Sequence, residues 1–136
     1  MCNDVDESGA ELAENRLATT VIGAAIEVQR QLGPGLIESA YELALLHELE
    51  LLGLSCISQQ RLDVNYKGLC IPNAYRLDLV VEDSVIVEIK AVEQLHKVHE
   101  AQLLTYLRFT GKRLGLLFNF HAVPLRTGIR RVANNL

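Results

Sequence analysis

Residues 76–91, RLDLVVEDSVIVEIKA, constrain the fold more than any other stretch of the chain. Val, Ile and Leu dominate, as they do in strands covered on both faces. Glu82-Asp83-Ser84 interrupts the run, so it reads as two strands, 75–81 and 85–91, closed by a tight turn. A hairpin this apolar belongs in an interior. Yet it carries Asp78, Glu88 and Lys90, three groups that are expensive to bury.

Alternate residues of a strand share a face. Val85, Val87 and Ile89 therefore point one way, and Ile86, Glu88 and Lys90 the other. With the turn centred on Asp83, Asp78 lies across from Glu88; a slip of one residue would break that pairing. In register, two carboxylates and an ammonium converge at the end of the sheet. At about 4 Å and an effective dielectric near 20, the two acids repel by roughly 4 kcal/mol. Either one of them holds a proton or a cation neutralises both. Mg²⁺ suits such a place, because it takes one or two carboxylates and fills its shell with water and phosphate oxygens. The plainer alternative is an ion pair of Lys90 with either acid on a half-exposed strand; three charged groups inside so apolar a segment count against it.

The rest of the chain supplies the layers around this hairpin. Leu17, Val21, Ala24, Val28 and Leu32 recur at helical spacing and predict a helix over 10–32. Gly33-Pro34-Gly35 ends it and a second helix over 36–52 follows, closed by Gly53. Residues 55–66 have strand character, Lys67-Gly68 reads as a turn, and 69–71 begin a return strand that Pro72-Asn73 interrupts. A third helix is expected over 95–110, closed by Gly111, then an apolar strand over 114–120 and a short one over 129–132. The expectation is a loose tail over 1–9 and one α/β domain over 10–136, a central mixed sheet flanked by helices in the order α-α-β-β-β-α-β.

Composition narrows the function classes. The chain has 136 residues, 49% hydrophobic and 22% charged, which is a globular composition. No apolar run approaches the roughly 20 residues of a membrane span, and the polar, acidic start resembles no targeting segment. Three cysteines, Cys2, Cys56 and Cys70, form no CxxC pair, which argues against a disulfide framework and fits a cytoplasmic protein. The net charge of −4 is unevenly spread: residues 1–60 hold 10 acids and 2 bases, residues 61–136 hold 7 acids and 11 bases. Lys112, Arg113, Arg126, Arg130 and Arg131 are the candidate contacts to a phosphate backbone, with solvated surface charge as the alternative. Aromatics make up only 5% of the chain, and no basic patch rich in them stands out for stacking bases.

Further polar residues fall at positions facing the hairpin. Gln102 and Tyr106 are one helical turn apart, with His99 a turn earlier, and Glu38 lies in the first turn after Gly35. Glu38 has a structural alternative, complementing the helix dipole. Taken in order, Glu38, Asp78, Glu88-Ile89-Lys90 and Gln102-x-x-x-Tyr106 resemble the motifs of the PD-(D/E)XK nuclease superfamily in its RecB-like branch. Gly35-Leu36-Ile37-Glu38-Ser39-Ala40-Tyr41 resembles the signature of the GxxExxY protein family. So do GPGLIESAYE, YRLDLVVED, VIVEIKAVE and HEAQLLTYLRFTGKRLGLLFNF, and the likeness spans residues 17–132.

The resemblance implies a restriction-endonuclease-like core and a metal-dependent nuclease that hydrolyses phosphodiesters, DNA before RNA, with a Mg²⁺-activated water. It implies that Asp78, Glu88 and the main-chain carbonyl of Ile89 bind Mg²⁺ or Mn²⁺, with Glu38 reaching the metal or its water shell. Lys90 would position and polarise the attacking water, and Gln102 and Tyr106 would brace the site and touch the backbone. Leu77 stands where the superfamily name has Pro. A catalytically silent module that binds nucleic acid or protein on the same fold is the alternative. A zinc site from His96, His99 and a cysteine lacks the paired spacing such sites use. No GxSxG elbow, phosphate loop or GxGxxG turn is present. The sequence leaves open exo or endo cutting, substrate preference, pathway, and whether the small-residue stripe of the first helix packs within a monomer or forms a homodimer.

Overall fold

The computed structural model describes the backbone of residues 2–136 and the side chains of residues 13–136. The backbone of residues 2–9, expected as a loose tail, is helical, while the side chains of residues 1–12, Cys2 included, lie outside those described. Helix α1 is Cys2–Leu32 and α2 is Glu38–Leu51; β1 is Cys56–Tyr66, β2 Leu69–Val81 and β3 Val85–Lys90. Helix α3, Lys97–Thr110, leads to β4, Leu114–Asn119, and a 3₁₀ turn at Leu125–Gly128 leads to β5, Ile129–Ala133. The sheet runs β1-β2-β3-β4-β5, antiparallel except where β3 and β4 run parallel. This mixed sheet flanked by helices is the restriction-endonuclease-like arrangement that the resemblance implied.

Two apolar layers hold the sheet. On one face α1 and α2 bury Val21, Ala25, Tyr41, Leu45 and Leu49 against Val85, Val87, Ile89 and Phe118. On the other, Leu103, Tyr106 and Leu107 of α3 cover Ile86 and Leu117. The alternation read along β3 is thus the alternation observed. The small-residue stripe of α1, with Ala18, Ala24 and Ala25, is spent inside the chain's own core. Side chains that small let a helix approach a sheet closely.

The β1–β2 hairpin departs from the expected pattern. Pro72-Asn73 does not interrupt β2, which runs on through both residues. The proline falls at a bulge: the register shifts between Leu62 and Val64, and no ladder pair is formed over residues 72–74. There Asp63 Oδ1 accepts the N–H of Asn73 at 2.8 Å. A second irregularity lies deeper. Leu79 and Val81 pack on the α1/α2 side, whereas Tyr75 and Leu77 pack on the α3 side. Residues two apart normally share a face, so β2 turns over at Asp78. Across from it, Gln59 has φ of +55°.

No helix among the described residues is long and apolar enough to cross a membrane. Cys56 and Cys70 are free thiols.

Glycine positions give opposite expectations on the two sides of the fold. A Cβ on Gly115, in β4, would lie 2.8–3.0 Å from the side-chain carbons of Leu103. Gly115→Ala should therefore destabilise by about 1–3 kcal/mol through overpacking. A Cβ on Gly23, within α1, meets nothing within 4 Å, so Gly23→Ala should stabilise by up to about 1 kcal/mol. Urea unfolding of both variants checks the signs.

Candidate active site

The β2–β3 ladder pairs Val81 with Val85, Val80 with Ile86 and Leu79 with Val87, and ends there. That register carries Asp78 to the position across from Glu88. The strands exchange side chains for main chain at this point. The N–H of Asp78 donates to Glu88 Oε1 at 3.2 Å, and the N–H of Ile89 donates to Asp78 Oδ2 at 2.8 Å. Two amides that would otherwise lack partners are satisfied, and both acids are drawn into one spot. Glu88 is only 8% exposed, while Asp78 and Lys90 are half-buried. Burial, with the charge of Asp78 next, pushes the Glu88 carboxyl up to about 8.

Lys90 is held by what surrounds its backbone. Its carbonyl accepts the N–H of Phe120 at 2.9 Å. The buried Asn119 amide bridges to Val92, donating to its carbonyl at 2.8 Å and accepting from its N–H at 3.0 Å. The exits of β3 and β4 are thus stitched together beside the acids.

Glu38 arrives through a latch. Gly35 has φ of +102°, a conformation that L side chains resist. The hydroxyl of buried Tyr41 donates to the Gly33 carbonyl at 2.6 Å and accepts the N–H of Leu36 at 3.1 Å. Its ring stacks on Phe120 at 4.5 Å. Gly35, Glu38 and Tyr41 are therefore one device: the glycine turns, the tyrosine fixes the turn, and Glu38 is left at the start of α2, exposed, on the rim of the acid pocket. From α3, Gln102 and Tyr106 line the same pocket of about 320 Å³. Burial, then the charges of Glu88 and Asp78, raise the Tyr106 hydroxyl, and a hydrogen bond with Gln102 works against this. His99 caps α3, its Nδ1 accepting the N–H of His96 at 3.1 Å.

The six side chains singled out by spacing, Glu38, Asp78, Glu88, Lys90, Gln102 and Tyr106, thus meet in one pocket together with Ile89. The five cations suggested for a phosphate backbone do not line it. Lys112 pairs with Asp83 at 3.0 Å, Arg113 with Glu14 at 3.8 Å and Arg130 with Glu100 at 3.3 Å. Arg131 donates to Asn15 at 2.7 Å, and Arg126 borders a separate cleft beside α1. The cations that do line the acid pocket are Arg61 and Arg76, besides Lys90.

Sequence reasoning passed over both arginines, and Glu42 as well. Half-buried Glu42 lies one turn beyond Glu38 and accepts from Gln59 Nε2 at 2.6 Å. Burial pushes its carboxyl up; the Gln59 bond opposes this and the charge of Asp78 adds to it. Its signal was available, since residues 38 and 42 share a helix face.

No group of three His, Cys, Asp or Glu side chains converges as a metal cage among the described residues. Two carboxylates do converge, with the Ile89 main chain at the pocket wall. This all-oxygen donor set, reached from an open pocket through half-buried Asp78, fits Mg²⁺, which rarely uses a dedicated protein cage. Burial and the charge of Asp78 together raise the Glu88 carboxyl, and a cation held there would oppose both.

Without metal, folded Glu88 keeps its proton up to about pH 8, whereas the unfolded chain releases it near 4.5. The native state then binds more protons across that window, so stability falls as pH rises through it. Glu88→Gln should flatten this slope. In EDTA its gain in Tm over the parent should be larger at pH 8 than at pH 5. Mg²⁺ should raise the Tm of the parent at pH 8 and leave the variant nearly unmoved. Identical slopes for the two proteins would contradict this account.

No curated protein and no solved structure matches the chain. A family model of the PD-(D/E)XK nuclease superfamily matches residues 15–132. That match covers most of the sequence, on a mixed sheet whose acids and lysine meet as the motif requires, and the chain belongs to the PD-(D/E)XK nuclease superfamily.

Proposed function

We propose that this chain is a divalent-metal-dependent nuclease of the GxxExxY family and RecB-like branch, hydrolysing phosphodiester bonds of nucleic acid, with DNA as the first substrate to test. The observation that carries the reading is the crossed pair of bonds in which Glu88 accepts the N–H of Asp78 and Asp78 accepts the N–H of Ile89, with Lys90 lining the same pocket. Asp78, Glu88 and the Ile89 carbonyl would hold Mg²⁺, or Mn²⁺ in its place, with Glu38 on the rim. A dication bound there supplies positive charge where negative charge grows during hydrolysis.

The chain's own groups do the rest. The Lys90 ammonium orients the attacking water and offsets charge developing on the phosphate. Gln102 and Tyr106 wall the pocket and fix the approach of the substrate. Glu42, behind Asp78 and held by Gln59, adds negative charge that favours a bound cation. Of the five distal cations, Arg126 and Arg131 have no ion pair among the described residues, and Arg131 already donates to Asn15, which leaves Arg126 as the candidate to meet a longer substrate's backbone. The same reading takes residues 10–136 as one domain working in the cytoplasm. The small residues Ala18, Ala24 and Ala25 of α1 pack within the chain's own core, so they do not by themselves argue for a homodimer.

Nicking of a supercoiled plasmid and shortening of labelled oligonucleotides, with Mg²⁺ or EDTA, test the proposal. The parent should cut only with the metal. Lys90→Ala should lower the rate by about 10²- to 10³-fold, and Asp78→Asn at least as much. Metal-independent cutting, or a Lys90→Ala variant as fast as the parent, would overturn it. Binding without any cutting would favour a catalytically silent nucleic-acid-binding module on this fold.

A further inference from the structure

Two features of the acid pocket are left unused by phosphodiester hydrolysis itself. The first is aromatic. The ring of Tyr75 lies flat on that of Tyr106, with centroids 4.8 Å apart and planes 6° from parallel. Phe109 tilts against Tyr75 at 5.8 Å and 39°. Phe109 is 57% exposed and Tyr75 is half-exposed, lining the pocket with one face against Tyr106. From the sequence no basic patch rich in aromatics stands out, yet 3 of the 7 aromatic residues cluster at this rim.

The second feature is electrostatic. Arg61 and Arg76 are direct cross-strand partners in β1 and β2. Both are exposed, both line the acid pocket, and neither has a carboxylate within 4 Å among the described residues. Like charges facing each other across a ladder repel. An anion between them reverses that sign, and two guanidinium forks match phosphate oxygens.

The pocket is therefore lined by the acids and a lysine, by an arginine pair and by half-exposed Tyr75, with exposed Phe109 adjoining Tyr75 just outside it. We infer that the β1–β2 hairpin and the last turn of α3 bind unpaired nucleotides, so that the strand beside the scissile bond is single-stranded. The arginine pair would take a phosphate near the one being cut, and Tyr75 and Phe109 would receive a base. Within a duplex the faces of a base are already covered by its neighbours; only an unpaired base has one to offer. Stacking accepts any base, so the surface selects strand state and not sequence. This rests on the nuclease reading for the identity of the site but is measured without cleavage.

The test is fluorescence anisotropy with the full chain and Ca²⁺, using a labelled oligothymidylate of about 12 nucleotides. The same strand annealed to its complement and a ribonucleotide version are the comparisons. The single strand should bind at least about tenfold more tightly than the blunt duplex. Phe109→Leu keeps apolar bulk at an exposed position, so folding is not at stake. It should weaken single-strand binding by about five- to tenfold and leave duplex binding unchanged. Arg76→Ala should lower the salt slope by about one. The chain has no Trp, so tyrosine emission is visible and should be quenched by the single strand. Equal or tighter binding of the ribonucleotide strand would support the surface and assign it to RNA. Equal or tighter binding of the duplex, or a Phe109→Leu variant that binds the single strand like the parent, would overturn the inference even if plasmid nicking succeeds. Failed nicking with these binding results intact would leave this surface standing and remove only the catalytic reading.

Discussion

Everything at the site depends on the exchange by which Asp78 and Glu88 each take the main-chain N–H of the opposite strand. A buried amide without a partner costs about 1–3 kcal/mol. Where the β2–β3 ladder stops, water is the ordinary substitute, but Glu88 is nearly sealed from it. The carboxylates answer the amides' need, and the amides answer part of theirs. What remains is the repulsion that ionising both acids would bring, which without metal a proton on Glu88 avoids. That latent repulsion makes a structural solution into a chemical one, because a cation relieves it directly.

The supports around this pair are ordered by the same logic of satisfied main chain. Asn119 ties the exits of β3 and β4 to the segment after Lys90. Gln29 of α1 reaches over to the carbonyls of Phe120 and Ala122 and to the N–H of Leu125. Tyr41 holds the turn before α2 and stacks on Phe120. Each is a polar group buried or half-buried and fully engaged, so the loops at this end of the sheet are fixed from several elements. A site that must place a lysine and two acids within one small pocket gains from that rigidity.

Much of this was legible in the residues. The turn centred on Asp83 was enough to place Asp78 across from Glu88, although β2 does not keep its two-residue alternation at that point. Gly35, Glu38 and Tyr41 carried their geometry in their spacing. The arginine pair was not legible, because the bulge at Asp63 shifts β1 against β2. Counting back from the Lys67-Gly68 turn without that shift pairs Arg61 with Ala74 instead. Pro72 looked like a strand break because a proline cannot donate, yet the bulge asks no donation of it. The aromatic cluster was hidden by its own statistics. Composition measures how many rings a chain has and is blind to three of them arriving from a strand and a helix at one place. The basic residues of the C-terminal half looked like a binding face, but most had acidic or amide partners of their own.

The turnover of β2 at Asp78 divides the β1–β2 hairpin into a part anchored in the sheet and a part that projects from it. Beyond Tyr75 and Leu62 the two strands pair almost solely with each other, and most of their side chains face solvent. Lengthening or trimming this projection by matched pairs of residues would leave the acids where they are, since every second step restores the same facing. A single unmatched insertion between Arg76 and Asp78 would instead turn Arg76 away from the pocket. The outer hairpin is thus free to vary in evolution, in steps of two, as an adjustable reach grafted onto a fixed centre.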